Sequence, residues 1–191
     1  MTGNKWSRVA AAAVLLVALT SVVLVQIWPP ATTASTIEQG KLQAGDIIFV
    51  DLYSGWCHVG YWDHMALYVG EQPYPGVVEA TYNGGICYTP LPSFLERDHP
   101  AYLAVKRLGD LPGREDALQA AIEYAMEQVG NEFDFSATAT IPLKVNGQNQ
   151  HCAEVVWRAY KAAGIDLDSN DGPLLYPDDV YYSPRLGLVC T

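Results

Sequence analysis

A cysteine, a histidine and a carboxylate in this chain are spaced so that together they could attack a carbonyl carbon. Cys152 stands first in CAEVVWRAYKAAG, where Val155, Val156, Ala159 and Ala163 recur at helical spacing until Gly164 stops the run. A structural cysteine would sit comfortably inside such an apolar stripe. This one lies at the predicted helix start, where unpaired backbone N–H groups and the helix dipole favour an anion. That position, helped by a cationic neighbour, lowers a thiol pKa from about 8.5 into roughly the 3.5–7.5 range.

A thiol nucleophile needs a base to take its proton, normally histidine. The chain has four: His58, His64, His99 and His151. His151 adjoins Cys152, but side chains of neighbouring residues diverge on a helix or strand, so it is expected to reach the thiol poorly. His99 lies in the charged, proline-bearing loop ERDHPAY and reads as solvated. His58 follows Cys57 in a loop rich in glycine and aromatics, with no clear partner.

His64 is different. It opens the predicted strand HMALYVG, with Ala66 and Tyr68 on its own face and Met65, Leu67 and Val69 on the other. Fifteen residues on, Glu79 interrupts the apolar run VVEAT. A carboxylate there is costly unless paired. If the turn EQPYPG folds these strands into a hairpin, Glu79 comes near His64 and can orient its imidazole and stabilise its charge. Singly, each residue has a bland reading: a structural strand-edge histidine, a solvated glutamate, a core cysteine. Together they supply nucleophile, base and orienting group on three predicted elements.

Those elements imply an α+β fold. LQAGDIIFVDL reads as a Gly-Asp turn and a buried strand, and YLAVKRL, residues 102–108, as a fourth strand. REDALQAAIEYAMEQVG repeats Leu118, Ala121, Ile122, Ala125 and Val129 at helical spacing up to Gly130. The tail SNDGPLLYPDDVYYSPRLGLV, rich in Pro, Asp and Tyr, is expected to wrap the surface. Strands and helices do not alternate regularly, which points to an antiparallel sheet packed against helices.

Lys5 and Arg8 precede Val9 to Ile27, a run with no charged residue. About 20 apolar residues cross a bilayer, so residues 1–28 read as a signal-anchor helix or a cleaved signal peptide, the anchor being favoured. Residues 29–40, with PPATTASTIE, read as a linker, and 41–191 as one domain, held extracytoplasmically by the membrane helix or secreted if that helix is cleaved. After Ile27, nine basic residues face 21 acidic ones, an excess of about twelve negative charges that argues against nucleic acid as partner. Cys57, Cys87, Cys152 and Cys190 match no zinc spacing, so neither metal nor cofactor is expected. Pairing of Cys57 with Cys87 is one of several disulfides open in an oxidising compartment.

The chain resembles the circularly permuted papain-like amidases of the YaeF/YiiX type, related to NlpC-type cysteine peptidases. The likeness rests on GDIIF at 45–49, HMALYVG at 64–70, VVEA at 77–80 and CAEVVW at 152–157. It implies a permuted papain-like fold, with Cys152 as nucleophile at a helix N-terminus, His64 as base and Glu79 as orienting residue. The family usually reads Cys-Ser-Glu after an aromatic residue, where this chain has His151-Cys152-Ala153-Glu154.

The expected activity is that of a cysteine hydrolase on peptide or cell-envelope amides, through a thioester acyl-enzyme, with the backbone N–H of Cys152 as one oxyanion donor. Two alternatives stand beside it. One is a lipid acyl hydrolase or acyltransferase with the same triad, for which the aromatic loop Tyr53, Trp56, Tyr61 and Trp62 would suit a lipid-facing site or merely close the core. The other is a non-catalytic binding module, which would have no need of all three residues. The topology reading is testable: protease added to intact cells should remove the domain, and a domain protected until lysis would refute export.

Overall fold

The computed structural model describes residues 41–52, 60–71, 74–97, 102–135, 142–144 and 147–190. The expected N-terminal helix, the linker, Tyr53, Trp56, Cys57, His58 and His99 lie outside these residues. Among the described residues no helix is long and apolar enough to cross a membrane.

Six strands form one sheet: β1 (Ile47–Asp51), β2 (His64–Gly70), β3 (Gly76–Thr81), β4 (Gly85–Pro90), β5 (Tyr102–Leu108) and β6 (Leu186–Cys190). The spatial order is β4-β3-β2-β1-β5-β6, and every neighbouring pair is antiparallel. Among the described residues four helices accompany it: α1 (Leu91–Glu96), α2 (Arg114–Glu127), α3 (Cys152–Ala162) and the single turn α4 (Pro177–Tyr181). The expected antiparallel α+β class is the observed one.

The alternation read from the strands sets the two faces. Ile47, Phe49, Met65 and Leu67 pack with Leu118, Ala121 and Ala125 of α2 and with Val155, Val156 and Ala159 of α3. Ile48, Val50, Ala66 and Tyr68 face the other way, towards Leu91 and Phe94 of α1. A shift of one residue in any strand would turn both sets to the wrong side. Gly45 makes the turn into β1 at φ +92°, in the left-handed region that glycine adopts without strain, and a Cβ there would meet Leu118 Cδ2 at 2.5 Å.

Two readings need correction, and one strand and one helix were not foreseen. Val129 lies beyond the end of α2 and is exposed, so it is not part of that helix's core face. Strand β4 and helix α1 occupy GICYTPLPSFLE, which alternates weakly and carries two prolines. The tail does more than wrap the surface: Leu175, Val180, Tyr181 and Leu186 join the core, and β6 completes the sheet edge against β5. Its proline-rich composition hides a strand that forms only because β5 offers an open edge.

The tail also holds the segment leading into β2. Both carboxylate oxygens of Asp178 accept the backbone N–H of Tyr61, at 3.0 Å each, and Oδ2 accepts that of Trp62 at 2.9 Å. Gly60, at φ +121°, lets the carboxylate in, since a Cβ would fall 2.5 Å from Oδ2. Removing this acceptor strands two backbone donors, each worth about 1–3 kcal/mol when buried. Asp178→Ala should therefore cost about 2–3 kcal/mol and lower the melting temperature by about 4–12 °C in calorimetry; an unchanged transition would refute the clamp.

Candidate active site

His64 and Glu79 share a face because Tyr68 pairs with Val77 and side chains repeat every second residue along each strand. The hairpin read from the sequence thus forms, and it brings imidazole and carboxylate together. His64 Nε2 lies 2.7 Å from Glu79 Oε2. His64 is nearly buried and packs its ring against Phe94 of α1, centroids 6.1 Å apart.

Glu79 is completely buried, yet both of its oxygens are satisfied. Arg97, which caps the C-terminus of α1, donates through Nη1 to Oε1 and through Nη2 to Oε2, both at 2.7 Å. Thr89 on β4 donates its hydroxyl to Oε1 at 2.6 Å. Burial alone would raise the carboxyl pKa. The bonds from His64, Arg97 and Thr89 outweigh it and hold the group well below the usual carboxylate range. Neither Arg97 nor Thr89 stood out in the sequence. Arg97 lies in the same charged loop as His99, but nothing local ties it to Glu79, 18 residues away.

Cys152 is the first residue of α3 and is partly exposed. Burial pushes its thiol up, but interactions with His151 and with His64 bring it down to about 6. His64 responds in the opposite sense. Burial lowers it, while Cys152 and Glu79 raise it to about 10. Between these two values thiolate and imidazolium coexist. Since Nε2 of His64 faces Glu79, Nδ1 is the nitrogen left for the sulfur.

His151 corrects the sequence reading. It takes the N-cap of α3 with extended backbone, φ −87° and ψ 174°, so the divergence expected of neighbouring helical side chains does not apply. Of the remaining sequence candidates, Tyr61 is half-buried and Trp62 fully buried against Phe49 and Tyr181, so these two close the core. Exposed aromatic surface near the thiol comes from elsewhere. Tyr82 follows β3 and senses the charge of Cys152, and it stacks with Phe133 and Phe135, centroids 4.7 and 6.3 Å away. Cys87 is a free thiol facing the Thr89 hydroxyl at 3.6 Å, Cys152 and Cys190 are free as well, and Cys57, the partner considered for Cys87, lies outside the described residues.

A thiol at a helix start, an imidazole and a buried carboxylate thus lie together beside an antiparallel sheet, with the histidine strand preceding the cysteine helix in the chain. The chain belongs to the permuted papain-like amidase enzymes, YaeF/YiiX, C92 family, whose pattern matches residues 41–183. The uncharacterized protein YycO of Bacillus subtilis (strain 168) is 25% identical over 151 residues, covering 77% of this chain and 55% of its own length. The chain thus spans little more than half of that relative. The crystal structure of YiiX from Escherichia coli O157:H7 superimposes with a TM-score of 0.60 at 23% identity, over 79% of this chain and 98% of the other.

That YiiX structure is described as a metalloprotein. Among the described residues here, no three His, Cys, Asp or Glu side chains are grouped to hold a metal ion. Glu79, the carboxylate bonded to His64, is already held on both oxygens by the Arg97 guanidinium, which would repel a cation. These residues do not fit a metal, and no step below uses one.

The geometry predicts a pH profile. Because the Cys152 pKa is lowered, its thiolate should persist as pH falls to about 6, and alkylation by iodoacetamide should reach its plateau near pH 7 rather than above 9. His64→Ala should move the midpoint towards the ordinary 8.5. Glu79→Gln should move it less, because an ion pair of this kind depends on its third member less than a serine triad does. Alkylation rate against pH, followed by mass spectrometry with circular dichroism as folding control, measures all three. A wild-type profile in folded His64→Ala would remove His64 from the site.

Proposed function

We propose that the protein is an amidase or peptidase acting through Cys152, His64 and Glu79 on peptide or cell-envelope amide bonds. The observation that carries this reading is the buried His64, held by Glu79 at 2.7 Å; burial lowers its pKa, and the Cys152 thiol and Glu79 more than reverse that. A structural histidine would need only one of these partners.

The thiolate attacks the carbonyl carbon and forms an S–C bond. The oxyanion is met by the backbone N–H of Cys152, which has no partner within the helix. The imidazolium of His64 gives its proton to the leaving amine as the C–N bond breaks, leaving a thioester. Neutral His64 then takes a proton from water, whose oxygen attacks the thioester. Collapse releases the acid and restores the thiolate and the imidazolium. Glu79 stays ionised throughout, because Arg97 and Thr89 occupy the lone pairs that a proton would need.

A second reading, acyl transfer or hydrolysis on a lipid, is favoured by the aromatic group beside the thiol. Tyr82 is 55% and Phe135 64% exposed, an apolar surface suited to an acyl chain. Residues 1–28, if retained rather than cleaved, would hold either enzyme at the extracytoplasmic face of the membrane, within reach of envelope or lipid substrates.

Rapid-quench mass spectrometry tests the function. Incubation with envelope peptide amides should leave an acyl adduct on Cys152 that hydroxylamine removes, and Cys152→Ala should abolish adduct and turnover together. Adduct formation from phospholipid but not from any amide would favour the lipid reading. Binding of either substrate with no adduct and no product would leave a binding module.

A further inference from the structure

An imidazole that must release a proton sits here against a buried carboxylate, and the two requirements conflict. Glu79 Oε2 lies 2.7 Å from His64 Nε2 where both groups are shut away from water, so it strongly favours the charged ring. The same attraction opposes release, and proton transfer is most efficient from an acid whose pKa lies near the working pH. Something must offset the carboxylate.

Among the described residues, the titratable and charged groups around His64 come from every neighbouring element. They are Glu79 on β3, Cys87 opposite it on β4, Arg97 at the end of α1, and Cys152 with His151 at the start of α3. Asp63 adjoins His64 with its Oδ1 on the Leu52 N–H, and Asp51 ends β1 one residue past Val50, the register partner of His64.

Arg97 is the cation bonded to Glu79, and its geometry is specific. Its backbone N–H donates to Ser93 O at 3.0 Å, so the side chain departs from a fixed point. Nη2 donates to Oε2 at 2.7 Å, the same oxygen that meets His64 at the same distance. Imidazole and guanidinium therefore compete for the charge of one atom. Oε1 accepts Nη1 but also the Thr89 hydroxyl at 2.6 Å, an anchor independent of Arg97. The apolar ring of Phe94 packs against both cations, 5.8 Å from Arg97 Cζ and 6.1 Å from the His64 ring centre, and does not screen them from each other. Thiolate, imidazolium, carboxylate and guanidinium then sum to zero charge, whereas the set without Arg97 would be a net anion that holds its proton more tightly.

We propose that Arg97 is a positioning residue for proton transfer: acting through the shared oxygen of Glu79, it loosens the carboxylate's hold on His64 so that the imidazolium can pass its proton to the leaving amine. The proposal rests on Cys152, His64 and Glu79 being the catalytic set.

The first test uses the full-length chain carrying Cys152→Ala, in which His64 reports Glu79 and Arg97 without the thiol. Its ring-proton resonances are followed by NMR against pH. Arg97→Met in this background keeps an unbranched apolar stem and removes the cation, so the His64 midpoint should rise by about one pH unit, a tenfold tighter hold on the proton. Arg97→Gln keeps a donor for Glu79 without the charge and should give the same rise, which covers failure of Arg97→Met to fold. Arg97→Lys keeps the charge and should hold the midpoint within about half a unit. A fork that merely fixes Glu79 in place gives the opposite sign, because its loss frees the carboxylate and the midpoint falls towards about 6.5. An unmoved or lowered midpoint in a folded neutral variant, or a lowered one in folded Arg97→Lys, would overturn the proposal.

The second test restores Cys152. Arg97→Met should slow acyl-adduct formation from an envelope peptide amide by up to about tenfold, since the leaving amine waits for its proton. Alkylation by iodoacetamide at about pH 8 needs no proton donor and should keep its wild-type rate. Equal losses in both reactions would mean a displaced site and count against the proposal. Failure of the underlying reading looks different: wild-type chain would form no adduct on Cys152 at all, whatever the His64 titration shows.

Discussion

A carboxylate buried inside a sheet governs this site. Glu79 is wholly excluded from solvent, where an unpaired charge would cost several kcal/mol. Its four contacts come from β2, β4 and the end of α1. The strand register, the length of α1 and the placement of Arg97 must all agree for Glu79 to be tolerated. The same agreement fixes His64, because the oxygen that needs a donor is the one that orients the imidazole.

Cys152 is positioned from the other direction. α3 packs Val155, Val156 and Ala159 against β1 and β2 residues, so the start of the helix falls beside the first residue of β2. The tail secures the same point by another route, through Asp178 and the backbone just before His64. Cys152 and His64 therefore meet where two independently anchored elements end. A thiol and an imidazole brought together by rigid elements hold their geometry better than a pair on loops.

Family membership and site geometry bear on different questions. The match over residues 41–183 establishes an amidase-type cysteine enzyme family, and the YiiX likeness, at 23% identity, establishes the fold alone. The roles proposed for individual residues rest on the bonds within this chain. The aromatic group of Tyr82, Phe133 and Phe135 belongs to this second kind of information, because stacking across the turn after β3 depends on how that turn meets residues 133–135.

Much of the scaffold was legible in the sequence for a simple reason: alternation in HMALYVG and VVEAT, and the 3.6-residue stripe after Cys152, are local consequences of burying one face. The charge of Glu79 in an apolar strand announced that a partner must exist, and the hairpin turn limited where His64 could be. The sequence could not announce Arg97, Thr89 or Asp178, because each acts across the fold on a group to which no local pattern links it. Strands β4 and β6 were hidden for a related reason. Their glycines and prolines give weak β propensity, and they form because a neighbouring edge offers hydrogen bonds. His151 was misjudged because divergence of adjacent side chains holds only inside a regular element, and the helix boundary fell between His151 and Cys152. Sequence determined which faces are buried and which residue types could react. Tertiary structure decided which charges meet, because a buried charge takes whatever partner the closing sheet and helices bring to it.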